Sequence, residues 1–154
     1  MSFEKAKKYL QEKGYEDHII ELEDSSATVQ LAAEALGVEP GMIAKTLSFL
    51  VSDTPILILA EGTARVDNHK YKDIFHTKAK MIPFDDVEDF IGHAPGGVCP
   101  FGIKEGIPVY LDESLKKFDT VYPAAGNDHS AVRLTIVELE AVAGAEKWVD
   151  VCKE

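Results

Sequence analysis

Hydrophobic residues along this chain switch repeatedly between helical and extended spacing. Phe3, Ala6 and Leu10 fall on one helical face, Ser2 stands where an N-cap belongs, and Gly14 stops the run. His18-Ile-Ile-Glu-Leu22 reads as a short strand. Ser26 or Thr28 then caps a helix carrying Val29, Ala32, Ala33 and Leu36, with Gly37 as its stop. After Pro40-Gly41, the segments Lys45 to Val51 and Ile56 to Ala60 are expected strands, joined by a hairpin at Ser52-Asp53-Thr54-Pro55. Both are apolar on consecutive residues, the pattern of strands covered on two faces.

Farther along, Asp67 is placed to cap a helix reaching Phe75, Lys78 to Ile82 reads as a strand, and Asp85 opens a short helix ending near Gly92. From His93 to Gly106 there are four glycines, two prolines and no periodicity. Ile107 to Leu111 is a strand whose Pro108 suggests a sheet edge or the strand's first residues. A helical turn from Ser114 to Phe118, a strand at Thr120 to Tyr122, a loop from Ala124 to Ser130 and a strand from Ala131 to Leu134 follow. Thr135-x-x-Glu138 is a capping box for a helix ending at Gly144, and Lys147 to Val151 offers a last strand. Helices and strands are interspersed without regular βαβ alternation. The expected fold is α+β, a mixed sheet flanked by helices.

Composition narrows the function classes. A length of 154 residues fits one core better than two, so a single domain is expected. No apolar run approaches the roughly 20 residues that cross a bilayer, and the charged start lacks a signal-peptide core. A cytoplasmic protein away from membranes is expected. Cys99 and Cys152 form no Cys-x-x-Cys pair, and the five histidines form no ligand pair, so neither a metal nor another cofactor is expected.

The net charge of −11 opposes nucleic-acid binding in general. One stretch reverses it: Arg65, His69, Lys70, Lys72, His76, Lys78 and Lys80 fall within 16 residues. A solvated helix with its flanks is the plainer reading, and a path for RNA phosphates is the functional one.

Three features can carry chemistry. Pro95-Gly96-Gly97-Val98-Cys99-Pro100-Phe101-Gly102 can bring backbone N–H groups close to a ligand, or can be a structural turn. Cys99 within it invites a thiol nucleophile with His129 as base, yet a small buried hydrophobe is the plainer reading. In Ala124-Ala-Gly-Asn-Asp-His-Ser130, the side chains of Asn127, Asp128 and His129 can position a water or hold an amine, and are equally natural turn formers. Lys45, at the start of an apolar strand, either snorkels to solvent or presents a cation at a cleft mouth.

The order of these pieces resembles the YbaK/prolyl-tRNA-synthetase-associated editing family. The resemblance runs from Ser26-Ala27-Thr28-Val29 and Ala32 to Val38, through Ile43-Ala44-Lys45-Thr46-Leu47 and Gly96 to Gly102, to Val109 to Leu115, Ala125-Gly126 and Arg133-Leu134. It implies a curved, barrel-like sheet and hydrolysis of a wrong aminoacyl ester on tRNA, often alanine or cysteine on the tRNA for proline. It also implies action without metal or covalent intermediate, either within prolyl-tRNA synthetase or as a separate protein. The family's essential lysine falls on Lys45. Its Gly-x-x-x-Pro loop falls on Gly96, Gly97, Val98, Cys99 and Pro100, whose amides would hold the substrate carbonyl. Thr46, Phe101, Gly126, Asn127, Asp128 and His129 would then contact substrate. Many relatives carry serine where this chain has Cys99, which argues against a nucleophilic thiol.

Two rival classes stand beside a deacylase. One is a non-catalytic module of the same fold that holds tRNA ends or docks on a synthetase. The other is a thiol hydrolase built on Cys99 and His129.

Overall fold

The computed structural model describes residues 2–153, the side chain of Ser2 excepted. A capping role for Ser2 therefore lies outside the described residues. Helix α1 (Ser2–Glu12) buries Ala6 and Leu10 completely, and strand β1 (Ile19–Glu21) follows a short 3-10 turn. Helix α2 (Val29–Leu36) settles the choice of cap, because the Thr28 side chain accepts the Leu31 N–H at 3.1 Å and Gly37 ends the helix at φ +71°.

Strands β2 (Ala44–Val51) and β3 (Thr54–Glu61) form the expected antiparallel hairpin, but Thr54 and Pro55, read as turn residues, belong to β3, with Lys45 facing Ala60 and Val51 facing Thr54. The turn is only Ser52-Asp53, both at positive φ (49° and 66°). That geometry matches the right-handed twist of the strands at the cost of placing two side chains in the left-handed region. Strand β4 (Arg65–Val66) and helix α3 (Asn68–Phe75) come next, with the Asp67 carboxylate accepting from the His69 and Lys70 amides. A 3-10 turn at Phe84–Asp86 runs into helix α4 (Val87–Ile91). Strand β5 (Val109–Asp112), a 3-10 turn at Glu113–Lys117, and strands β6 (Thr120–Val121), β7 (Ser130–Val132) and β8 (Leu134–Thr135) lead to helix α5 (Ile136–Ala143). The Thr135–Glu138 capping box is present as read. Strands β9 (Lys147–Val149) and β10 (Cys152–Lys153) complete the described chain.

The main sheet has the order β2-β3-β5-β9, antiparallel at the hairpin and parallel at the other two pairings. This is the expected mixed sheet flanked by helices. Three two-stranded ladders surround it: β1 with β7, β6 with β8, and β4 with β10. Among the described residues these ladders stay separate, so the barrel-like curvature does not become a closed barrel.

The two faces of β3 divide the interior. Leu57 and Leu59 join the main core with α1, α4 and α5, while Ile56, Ile58 and Ala60 join a second cluster around Tyr71 of α3. Burial on both faces explains the unbroken apolar run. A third, small cluster of Ala32, Ala33 and Ile43 seats α2 against the body.

Several boundaries differ from the sequence reading. Lys78 to Ile82 is no strand but an extended segment touching β2 through one bridge, Phe49 to Met81. The strand expected over Ala131 to Leu134 breaks at Arg133, whose N–H is taken by the His18 carbonyl at 2.9 Å, so the chain changes partner from β1 to β6. Pro108 precedes β5, which is internal to the sheet, so the proline marks a strand start and not an edge.

Candidate active site

The chain's two glycine-bearing loops meet. A β-carbon built on Gly97 would lie 2.5 Å from both the Asn127 nitrogen and the Gly126 carbonyl carbon. Only a residue without a side chain allows that approach. Gly96 and Gly126 adopt φ of +93° and +96°, turning the two loops toward each other. The Asp128 carbonyl accepts from Ser26 N–H at 2.5 Å and the His129 carbonyl from Leu22 N–H at 2.7 Å, tying the second loop to the segment before α2.

Where the first loop, α2 and β2 converge there is a cavity of about 290 Å³. Pro95, Gly96 and Val98 form one side, Lys45 and Thr46 another, and Thr28, Val29 and Ala32 of the α2 region a third. Tyr122, Ala124, Ser130 and Ala131 complete the floor, and Phe84 stands at the rim. Two hollows of about 440 and 420 Å³ lie elsewhere, around Arg133 and around Lys70 and Asp150, away from both glycine loops.

Lys45 shares strand parity with Leu47 and Phe49, which belong to the second cluster, and its half-buried stem leaves β2 on that side. The ammonium donates to the carbonyls of Ala64 and of Gly62, the latter at 3.4 Å. An ammonium has three donors, and these two carbonyls take two of them. Burial lowers its pKa from the ordinary lysine value, against the pull of nearby Cys152 and Glu61. Thr46, of opposite parity, borders the cavity with a buried Oγ1 that has no partner among the described residues.

In the glycine loop, the Gly97 N–H is spent on the Ala94 carbonyl at 3.1 Å. Gly96 and Val98 border the cavity, and their N–H groups carry no backbone hydrogen bond among the described residues. They are the donors that can face a developing oxyanion. Gly97 and Pro100 shape the loop without bordering the cavity.

Cys99 and Phe101 point the other way. Both are fully buried in the main core, with the Phe101 ring 6.2 Å from that of Tyr9. Burial pushes the Cys99 thiol up to about 12, so at neutral pH it is a protonated hydrophobe. The imidazole near it is His93, not His129: Cys99 Sγ lies 3.5 Å from His93 Nε2. Nε2 of the buried His93 donates to the Phe101 carbonyl at 2.6 Å, while Nδ1 has no partner among the described residues. Burial holds His93 below the usual histidine pKa. The thiol-hydrolase arrangement of Cys99 with His129 is therefore not formed.

Nor do Gly126, Asn127, Asp128 and His129 border the cavity. Asn127 Oδ1 accepts from the His129 N–H at 3.1 Å and from Ser130 Oγ at 2.6 Å, an Asx turn closing on itself. Asp128 Oδ1 and His129 Nδ1 pair at 3.1 Å with both side chains exposed. Only the ends of this loop, Ala124 and Ser130, border the cavity, together with Ala131.

Ser26 and Phe84 are among the cavity residues that sequence reasoning did not single out. Ser26 was weighed only as a cap; with Thr28 in that role, the Ser26 Oγ is buried at the cavity wall without a partner among the described residues. Two candidate caps for one helix was the available signal. Phe84 carried no signal at all. Among the described residues, no three His, Cys, Asp or Glu side chains converge as metal ligands would, and no helix is long and apolar enough to cross a membrane.

Comparison with known proteins gives the family. The model of the aminoacyl-tRNA editing domain matches residues 23–142. The uncharacterized protein YwhH of Bacillus subtilis is 44% identical over 155 aligned positions, covering 100% of this chain and 99% of that one. EbsC of Enterococcus faecalis, named as a candidate Cys-tRNA(Pro)/Cys-tRNA(Cys) deacylase, is 28% identical over 78% of this chain and 74% of its own. A solved structure described as a candidate trans-editing enzyme for prolyl-tRNA synthetase superposes with a TM-score of 0.89 at 31% identity, covering 99% and 98% of the two chains. With the family model spanning residues 23–142 of its 154, the chain belongs to the aminoacyl-tRNA editing domain family.

Proposed function

We propose that this chain acts in trans as an aminoacyl-tRNA deacylase, with a small amino acid on the tRNA for proline as its substrate. The observation that carries the reading is one cavity bordered by Lys45 and by Gly96 and Val98 of the glycine loop. Water attacks the ester carbonyl carbon, the ribose oxygen leaves as a hydroxyl, and the amino acid departs as its carboxylate. The Gly96 and Val98 N–H groups stabilise the oxyanion, and the third Lys45 donor holds the ester or the terminal phosphate. The vicinal ribose hydroxyl assists the water. Aminoacyl esters are activated already, so position and an oxyanion cradle supply most of what is needed. No step calls for a metal or a covalent enzyme intermediate.

A cavity of about 290 Å³ lies at the small end of ligand clefts, typically about 300–1,000 Å³. That size suits a second sieve. A proline pocket discriminates against smaller side chains by only about 1–3 kcal/mol per methylene, and a separate small site removes the errors. The reading places the protein in the cytoplasm as a single editing domain, with charged tRNA and prolyl-tRNA synthetase as its working partners.

The test is a panel of mischarged tRNAs, beginning with alanyl- and cysteinyl-tRNA for proline, given to wild type and Lys45→Ala. Wild type should exceed buffer hydrolysis on at least one. Lys45→Ala should lose about 10²–10³-fold, the usual cost of one preorganised charge-stabilising donor. Binding without hydrolysis by wild type on every member would leave the non-catalytic module instead. Equal rates for both proteins would remove Lys45 from the mechanism.

A further inference from the structure

Phe84 is 74% exposed, which is unusual for an aromatic ring, and it borders the cavity. The backbone that presents it is anchored on both sides. Before it, Lys80 O accepts from Leu50 N–H at 2.8 Å, Ile82 N–H donates to Ser48 O at 3.1 Å, and Pro83 enters the 3-10 turn with φ −55°. Ile82 and, after it, Val87 are buried at 4% and 6% exposure. A ring standing out from a pinned segment at the mouth of a cavity is a preformed contact surface.

An ester seated in the cavity carries a nucleobase on its ribose, and Phe84 offers an exposed ring at the cavity's border. Resting on the deacylase reading, we infer that Phe84 is the platform on which the terminal nucleobase of the RNA stacks, fixing the ester over the glycine loop. Base–aromatic stacking is sequence-tolerant and needs an open ring face. The surrounding charge fits one direction of approach. Exposed Lys78 and Lys80 precede the ring along the chain, with Met81 (56% exposed) between them and Phe84. Exposed Asp85, Asp86, Glu88 and Asp89 follow it and repel phosphates. The single strand therefore reaches Phe84 from the Lys78–Lys80 side.

Two measurements test this. The first compares wild type with Phe84→Ala, Phe84→Leu and Phe84→Trp on the mischarged tRNA that wild type hydrolyses. Stacking predicts a rise in KM of about 5- to 150-fold for the alanine and leucine variants, kcat changing less, and near-wild-type values for tryptophan. Unchanged melting temperatures exclude a folding defect. The second titrates Phe84→Trp with a short single-stranded RNA ending in CCA and with the same RNA lacking the terminal base. Quenching by the first only, absent in wild type, whose one tryptophan is Trp148, supports the platform. A leucine variant with wild-type KM, or no quenching at RNA concentrations that saturate wild type, overturns it. If wild type hydrolyses nothing, the deacylase reading falls alone, and quenching still decides whether a base stacks on residue 84.

Discussion

The β-carbon that Gly97 lacks would sit 2.5 Å from the backbone nitrogen of Asn127. This contact holds the two site loops at their closest approach, and it involves backbone on both sides, so no side chain can move to relieve it. Gly97→Ala should therefore cost about 1–3 kcal/mol of stability through overpacking. The displaced loop should lose up to about 10²-fold in kcat/KM. Thermal melting and single-turnover deacylation measure the two effects, and a variant with wild-type values in both would show that the loops are not coupled here.

Lys45 gives a pH signature. Burial lowers its pKa, so the ammonium is lost at a lower pH than for an exposed lysine, whose ordinary value is about 10.4. If the charged form works, enzyme-dependent deacylation above the buffer rate should fall on the alkaline side below that value. Lys45→Arg, which keeps its charge throughout, should be slower overall yet show no such fall. The same alkaline limb in both proteins would assign it to another group.

His93 ties stability to pH. Burial lowers its folded pKa beneath the unfolded value of about 6.5, so the unfolded chain binds the proton more readily. The stabilisation is complete above about 6.5 and is lost as pH falls through the folded value. His93→Gln, which can still donate to the Phe101 carbonyl, should flatten the fall in melting temperature between about pH 7 and 5. An unchanged slope would mean that other groups control acid unfolding.

Cys99 and Cys152 should both resist alkylation. Burial pushes each thiol up to about 12, leaving a negligible thiolate fraction at pH 7. Iodoacetamide should label neither in the native protein and both after denaturation. Cys99→Ser should keep its deacylase activity. Rapid native labelling of Cys99 with loss of activity would restore the thiol mechanism.

Local signals survived folding where their partners lie within one turn. The Thr135–Glu138 box, the Asp67 and Thr28 caps and the stop at Gly37 are bonded as read, because each links residues two to four positions apart. The alternation of Leu57 and Leu59 against Ile56 and Ile58 across β3 was implicit in an apolar run bounded by turns. The family motifs brought Lys45, Thr46 and Gly96 to one cavity, since strand and loop positions carry over with the fold.

Tertiary structure decided what the chain cannot state locally. The two-residue ladder of Arg65 and Val66 with Lys153 and Cys152 is too short to have a period, and its partners lie more than 80 residues apart. Whether Lys78 to Ile82 pairs fully depends on β2, not on its own composition. Inside the loops, Val98 faces the cavity while Cys99 and Phe101 face the core, and Asn127 bonds its own turn. A loop without periodicity leaves side-chain direction to distant packing. Residue order along this chain therefore determined the elements and the neighbourhood of the site, and the meeting of the Gly97 and Asn127 backbones determined which atoms face it.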